Sequence, residues 1–231
     1  STGEYITKLG QLRRLTISGY GLVDLDPDFK NLKNLESLDI SVNNFEKIPE
    51  VLTKENFPKL HALYLNTCQR GVIYDLSNTT TTHFGGLFEE TDQTREFPRR
   101  LLEWDNLDTL TLSVNYLQGR IPDMKDYARK YTQADISAAD SLPQALVGTP
   151  KVLPNIKRFS INLNRLTGEL PEWLLHHPAL DWMDPFTLVF TQEGKDQDGK
   201  LAGFTNEPVN LDEYYRFYEG KKYLDPNKKE E

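Results

Sequence analysis

Apolar residues recur along this chain in a fixed pattern rather than at a helical period. Leu35, Leu38 and Ile40 lead to Asn43 and Phe45; Leu107, Leu110 and Leu112 lead to Asn115 and Leu117; Ile156, Phe159 and Ile161 lead to Asn164 and Leu166. Two more copies vary the polar position: Leu60, Leu63 and Leu65 lead to Cys68, and Leu12, Leu15 and Ile17 lead to Tyr20 and then Leu22. Within each copy the x-Leu-x-Leu-x stretch alternates with period two, so the leucines share one face and the residues between them the other. That is a short strand. Copies of it predict parallel strands stacked about 4.8 Å apart, each burying its apolar face only against its neighbours.

A second landmark follows each strand: an apolar residue, a proline and further apolar residues, as in Ile48-Pro49-Glu50-Val51-Leu52, Ile121-Pro122 and Leu170-Pro171-Glu172-Trp173-Leu174. Proline fixes φ and lacks a donor, which suits the first turn of a helical segment on the outside of a coil. The landmark also stands at Phe97-Pro98 and Leu142-Pro143, where the strand pattern is faint. Counting both signals gives six repeats, starting at Leu12, Leu35, Leu60, Leu107, Tyr131 and Ile156, with a terminal piece from Leu180. The repeat at Tyr131 is built on Tyr131, Ala134, Ile136 and Ala139. Ile48 follows Leu35 by 13 residues, and Ile121 and Leu170 follow their repeat starts by 14, but Phe97 follows Leu60 by 37. The surplus, near 69–95, reads as an excursion from the array, with a seventh degenerate repeat as the other reading.

Asparagine at the end of a strand can use its side-chain amide to bond backbone groups of the next coil. Cys68 at that position reads as structural rather than reactive, since nothing cationic is adjacent in sequence. The fold expected is an α/β solenoid, a right-handed coil with a parallel concave sheet and a short helical or irregular convex side.

These residues resemble the leucine-rich-repeat family over about residues 12 to 183. Leu117-Gln118-Gly119-Arg120-Ile121-Pro122 and Leu166-Thr167-Gly168-Glu169-Leu170-Pro171 look like its plant-type L-x-G-x-I-P subclass. Plant extracellular members usually carry paired cysteines in their caps, which this sequence, with one cysteine, does not have. It is more similar to secreted or lipid-anchored members from gut Bacteroidetes. The resemblance implies binding of a protein, peptide or glycan on the concave sheet or its rim, and no enzyme activity. It also implies a bacterial surface or extracellular location, with any lipid anchor outside this sequence. Tyr20 and Ala139 depart from the ladder asparagine and put two turns in doubt.

The array divides the chain into a lead-in (1–11), the repeats (12–183) and a cap (184–231). In the cap, Phe186 to Thr191 and Leu201 to Thr205 read as a hairpin turning at Asp198-Gly199. Asn210 with Glu213 then resembles a capping box opening a short helix. Leu211, Tyr214, Tyr215 and Tyr218 pack from that helix onto the last coil, an exposed aromatic patch being the alternative.

Composition narrows the partners. A net charge of −8 repels phosphate backbones, so nucleic acid is not expected. No apolar stretch reaches the roughly 18 residues of a membrane span, and Ser1-Thr2-Gly3 reads as no targeting signal. No cofactor and no metal site are expected: Asp196-Gln197-Asp198-Gly199 puts Gly194 and Thr205 where a calcium loop needs carboxylates, and His176-His177 reads as a solvated surface pair. Asn78-Thr79-Thr80 fits a glycosylation sequon by a pattern too short to weigh. No phosphate loop, nucleophile elbow or zinc-protease motif is present. A monomer is expected.

Outward strand positions then line one face: Arg14, Thr16 and Ser18; Asp39 and Ser41; Tyr64 and Asn66; Thr111 and Ser113; Asp135 and Ser137; Ser160 and Asn162. Small hydroxyl and amide groups dominate it, and Tyr64 is its one large aromatic residue, the type favoured in contact hot spots. A non-catalytic recognition module follows, acting through this face or through the 69–95 excursion. A structural spacer within a larger cell-surface protein is the alternative.

Overall fold

A computed structural model describes residues 6, 8–45, 47–68, 96–115, 117–139, 142–161, 164–166, 168–175, 177–180 and 182–184. In chain order its strands are β1 (Arg14–Thr16), β2 (Ser37–Asp39), β3 (Ala62–Tyr64), β4 (Thr109–Thr111), β5 (Gln118–Gly119), β6 (Arg158–Ser160), β7 (Arg165–Leu166) and β8 (Trp182–Asp184). Six of them form one sheet in the order β1-β2-β3-β4-β6-β8. Every pairing is parallel, and the register sets Leu15, Leu38, Leu63, Leu110 and Phe159 side by side. A one-residue slip in any strand would turn its leucine out to solvent and its polar neighbours in. The fold is that of a leucine-rich-repeat solenoid.

The strand leucines and the convex turns close one core. Leu35, Leu38, Ile40, Leu60, Leu63, Leu107, Leu110, Ile156 and Phe159 are fully buried, and behind them lie Phe29, Leu52, Phe57, Leu102, Trp104, Trp173 and Leu174. Phe159 sits between Phe97 and Trp173, with ring centroids 6.4 and 6.3 Å away. Three of the proline landmarks, at Pro49, Pro98 and Pro171, build convex turns as expected, whereas Pro122 opens no helical turn and Pro143 lies in the segment between β5 and β6. Leu52, Leu101 and Leu174 each donate their amide to the carbonyl of the proline three residues back, at 2.9 to 3.0 Å. Two of these turns are short helices, α1 (Arg99–Leu102) and one at Glu172–Leu175. The L-x-G segments add a separate two-stranded parallel sheet, β5 with β7. Gly168 there has φ +84°, a backbone conformation that favours glycine.

The expected repeat at Tyr131 is not a coil. β4 pairs directly with β6, with Thr109 opposite Arg158, so nothing from 125–151 enters the sheet. Instead the chain leaves the array after Met124 and returns at Val152, its two limbs joined by Lys151 N to Arg129 O and Tyr131 N to Thr149 O at 2.8 and 3.0 Å. Between the limbs, α2 (Gln133–Ala138) opens on a capping box, in which the Thr132 hydroxyl accepts from Asp135 N and the Asp135 carboxylate accepts from Thr132 N. Helix wins there for two reasons. Thr132-x-x-Asp135 is a helix start signal, and Ala134 in a leucine position would leave a cavity between two coils. Tyr131, Ile136 and Leu146, with part-buried Leu142, form a small core of their own.

The terminal piece from Leu180 supplies the sixth strand, whose last residue is Asp184. The 69–95 excursion and the predicted hairpin and helix of the cap lie outside the described residues.

Candidate functional site

At the exits of β1 to β4 the chain turns through the left-handed region, at Gly19, Val42, Thr67 and Val114, with φ of 78°, 58°, 52° and 59°. The next residue is the ladder position. Asn43, Asn115 and Asn164 are buried there. Asn43 donates to Ile17 O and Ile40 O and accepts from Leu22 N; Asn115 donates to Leu65 O and accepts from Cys68 N; Asn164 donates to Leu112 O and Ile161 O and accepts from Asn115 N and Leu117 N. All these bonds measure 2.7 to 3.1 Å. Cys68 is buried in the same row with its thiol 3.4 Å from Ile40 O, a structural position. Tyr20 leaves the row and is 73% exposed.

A second asparagine row was not foreseen. Asn34, Asn106 and Asn155 each precede the first leucine of a repeat and donate to a carbonyl one coil back: Gly10, Pro58 and Asp105, at 2.8 to 2.9 Å. Its signal was in the sequence, as a shared position immediately before Leu35, Leu107 and Ile156.

The register sorts the expected face residues into two groups. Thr16, Asp39, Tyr64, Thr111 and Ser160 stand in one row across the sheet, and Arg14 opens a parallel row shared with Ser37, Ala62, Thr109 and Arg158. Arg14, Thr16 and Ser18 are exposed, and Asp39, Tyr64 and Thr111 half-buried. Ser41, Ser113 and Ser160, by contrast, are buried. They belong with Asn66 to a hydrogen-bonded chain along the strand ends: Asn66 N donates to Ser41 Oγ, Ser113 N to Asn66 Oδ1, and the Ser113 and Ser160 hydroxyls meet at 2.6 Å. Placing these four on the binding face overlooked that a strand end needs its own polar partners. Asp135 and Ser137 are on α2, away from the sheet, and Asn162 lies outside the described residues.

One more row was missed. The residue after each repeat's first leucine is charged or titratable: Arg13, Glu36, His61, Asp108 and Lys157. Backbone bonds at 2.7 to 2.9 Å, from Glu36 N to Arg13 O through to Lys157 N to Asp108 O, carry the parallel ladder out to this row. His61 Nδ1 lies 3.2 Å from Asp108 Oδ2, with both side chains partly solvated. Thr111 Oγ1, at the centre of the face, is covered and has no hydrogen-bond partner.

A groove of about 440 Å³ beside the β5–β7 sheet is lined by Arg99, Arg120, Lys125, Glu169 and Glu172. Its arginines are paired, Arg99 with Asp126 at 2.9 Å and Arg120 with Glu169 at 3.7 Å. A cavity of similar size at the first coil is lined mainly by Leu15, Ile17, Leu25 and Phe29. His177, expected in solvent, is 2% exposed. Its Nε2 is 3.1 and 2.8 Å from Val152 O and Leu153 O, and its Nδ1 accepts from Ala179 N. The ring is therefore the neutral Nε2–H tautomer holding the end of a convex turn. His176 and the 196–199 motif lie outside the described residues. Among the described residues no cluster of three metal-ligating side chains occurs, and no helix is long and apolar enough to cross a membrane.

Comparison with known proteins finds the repeat itself. A leucine-rich-repeat family model matches residues 34–54, one coil of the array. No curated protein matches the sequence. Among solved structures, the chain is similar to a leucine-rich-repeat protein of Leptospira interrogans, at 18% identity and TM-score 0.46, over 78% of this chain and 38% of that one. It is also similar to the plant peptide hormone receptor RGFR1 in complex with RGF2, at 19% identity and TM-score 0.44, over 78% and 21%. A third is the ectodomain of the Arabidopsis thaliana receptor kinase GASSHO1/SCHENGEN3 in complex with CASPARIAN STRIP INTEGRITY FACTOR 2, at 19% identity and TM-score 0.34, over 75% and 21%. This chain spans about a fifth to two fifths of the length of these proteins.

Proposed function

We propose that the solenoid is a non-catalytic recognition module that takes a protein, peptide or glycan segment on its concave sheet. The observation behind this is the division of labour among polar residues. Ser41, Asn66, Ser113 and the ladder asparagines are consumed within the array, whereas Arg14, Thr16 and Tyr64 stand exposed or half-buried in register across adjacent strands, beside half-buried Asp39, one of whose carboxylate oxygens accepts from Ser41 N at 3.0 Å. Regular strand spacing holds such side chains in a preset array, which lowers the ordering cost of binding. Tyr64 is the residue of the face best suited to an energetic anchor. The likeness of the repeats to cysteine-poor bacterial members supports display at a bacterial surface or outside the cell. A spacer role within a larger surface protein is the second reading, favoured by the half-buried Leu12, Leu15 and Ile17 of the first coil.

The test is capture from peptide and glycan arrays by the full chain. Tyr64→Ala should weaken the captured ligand by about thirtyfold, the scale of a hot-spot side chain. Unchanged capture would move the site off the sheet.

A further inference from the structure

We infer that the occupant of the concave face is an extended peptide of alternating charge, with an acidic group toward each end and a lysine or arginine between them. This rests on the concave-face reading and adds the chemistry of its ligand. Arg13 and Arg14 stand at β1, Lys157 and Arg158 at β6, all four exposed. None of the four has an ion-pair partner among the described residues. Between these two cationic pairs the sheet carries Glu36 and Asp39 at β2 and Asp108 at β4, the last with one carboxylate oxygen 3.2 Å from His61 Nδ1 and the other accepting from the Thr109 hydroxyl. In a chain of net charge −8, a cationic pair at the first strand and another at β6, the strand next to the last, run against the average field.

The spacing fits a peptide. From β1 to β6 is four strand steps of about 4.8 Å, or roughly 19 Å, which an extended chain covers in about six residues at about 3.3 Å each. A basic residue in the middle would face Glu36 and Asp39, and Tyr64 on β3 supplies an aromatic ring beside it, as cations favour. A polyanion such as a sulfated glycan or a nucleic acid would gain at the two cationic pairs but meet carboxylates between them. Such like-charge contact is what discriminates partners at an interface.

A heptapeptide display library panned at low salt against the full 231-residue chain tests this directly. The selected sequences should be acidic at both ends and basic in the middle. Arg14→Glu with Arg158→Glu should weaken the best peptide roughly tenfold or more in fluorescence anisotropy, while the thermal unfolding midpoint stays within a few degrees. Selected peptides without the charge pattern, but dependent on Tyr64, would overturn the charge assignment and leave the concave site standing. Peptides indifferent to both Tyr64→Ala and the charge reversals would overturn the concave site itself. Capture of heparin oligosaccharide with no peptide enriched would overturn the peptide assignment.

Discussion

The coil that starts at Ile156 and the segment that starts at Tyr131 carry similar apolar spacing, each ending in a leucine-proline pair, yet only the first is a coil. Ile156, Phe159 and Ile161 are fully buried in the stack. Tyr131, Ile136 and Leu146 instead form a satellite cluster outside it. Even the proline turns agree, since Leu146 N donates to Pro143 O at 3.1 Å much as Leu174 N does to Pro171 O at 2.9 Å. Local turn chemistry is therefore shared, and what separates them is what each offers a neighbouring coil. Phe159 fills the space between Phe97 and Trp173, and Asn164 bonds the coil before it. Ala134 and Ala139 can do neither.

The largest expected effect removes a stack leucine. Leu110→Ala should destabilise the whole array by about 3 to 5 kcal/mol in urea unfolding, whereas Ile136→Ala should cost about 1 to 2 kcal/mol and lower exchange protection only within 131–149. Equal, global losses from both would break the comparison. Next comes the ladder. Asn164→Ala leaves four backbone groups without its amide and should cost about 2 to 4 kcal/mol. Ala139→Asn, the converse change, should move stability by less than about 0.5 kcal/mol, as surface substitutions do. A matching gain from Ala139→Asn would mean that 131–146 does stack.

The smallest effect is a pH dependence confined to the segment between β5 and β6 that carries α2. Bonds from the Thr132 amide and then the Lys151 ammonium hold the Asp135 carboxyl below its usual 3.8, at about 2. A depressed carboxylate pKa contributes stability that is present above about pH 4 and lost as pH falls through about 2. Exchange protection of α2 amides should fall across that window, and Asp135→Asn should erase the step. Protection falling equally in the variant would assign it to other carboxylates.

These contrasts also mark how far the sequence could be read. Strand positions such as Leu38, Leu63 and Leu110 were legible because alternation and spacing coincide. The asparagine ladder was legible because an amide at a strand exit has few other uses. The 131–146 segment misled because spacing was weighed above propensity, although the Thr132-Asp135 capping box was readable. On the candidate face, Thr16, Asp39 and Tyr64 were legible from alternation alone. Ser41, Ser113 and Ser160 were not, because burial at a strand end depends on the neighbouring coil, which only the register reveals. Arg158 and the Arg13-to-Lys157 row were missed because sequence alone does not tell where backbone pairing of the sheet stops.

Strand order is the claim on which the face, the ladders and the placing of 125–151 outside the sheet all depend, and nuclear Overhauser contacts across the middle of the sheet test it most directly. Cross-strand contacts from residues 109–111 to residues 158–160 are predicted, in parallel register with Leu110 beside Phe159. Contacts from residues 109–111 to residues 133–138 in their place would contradict it.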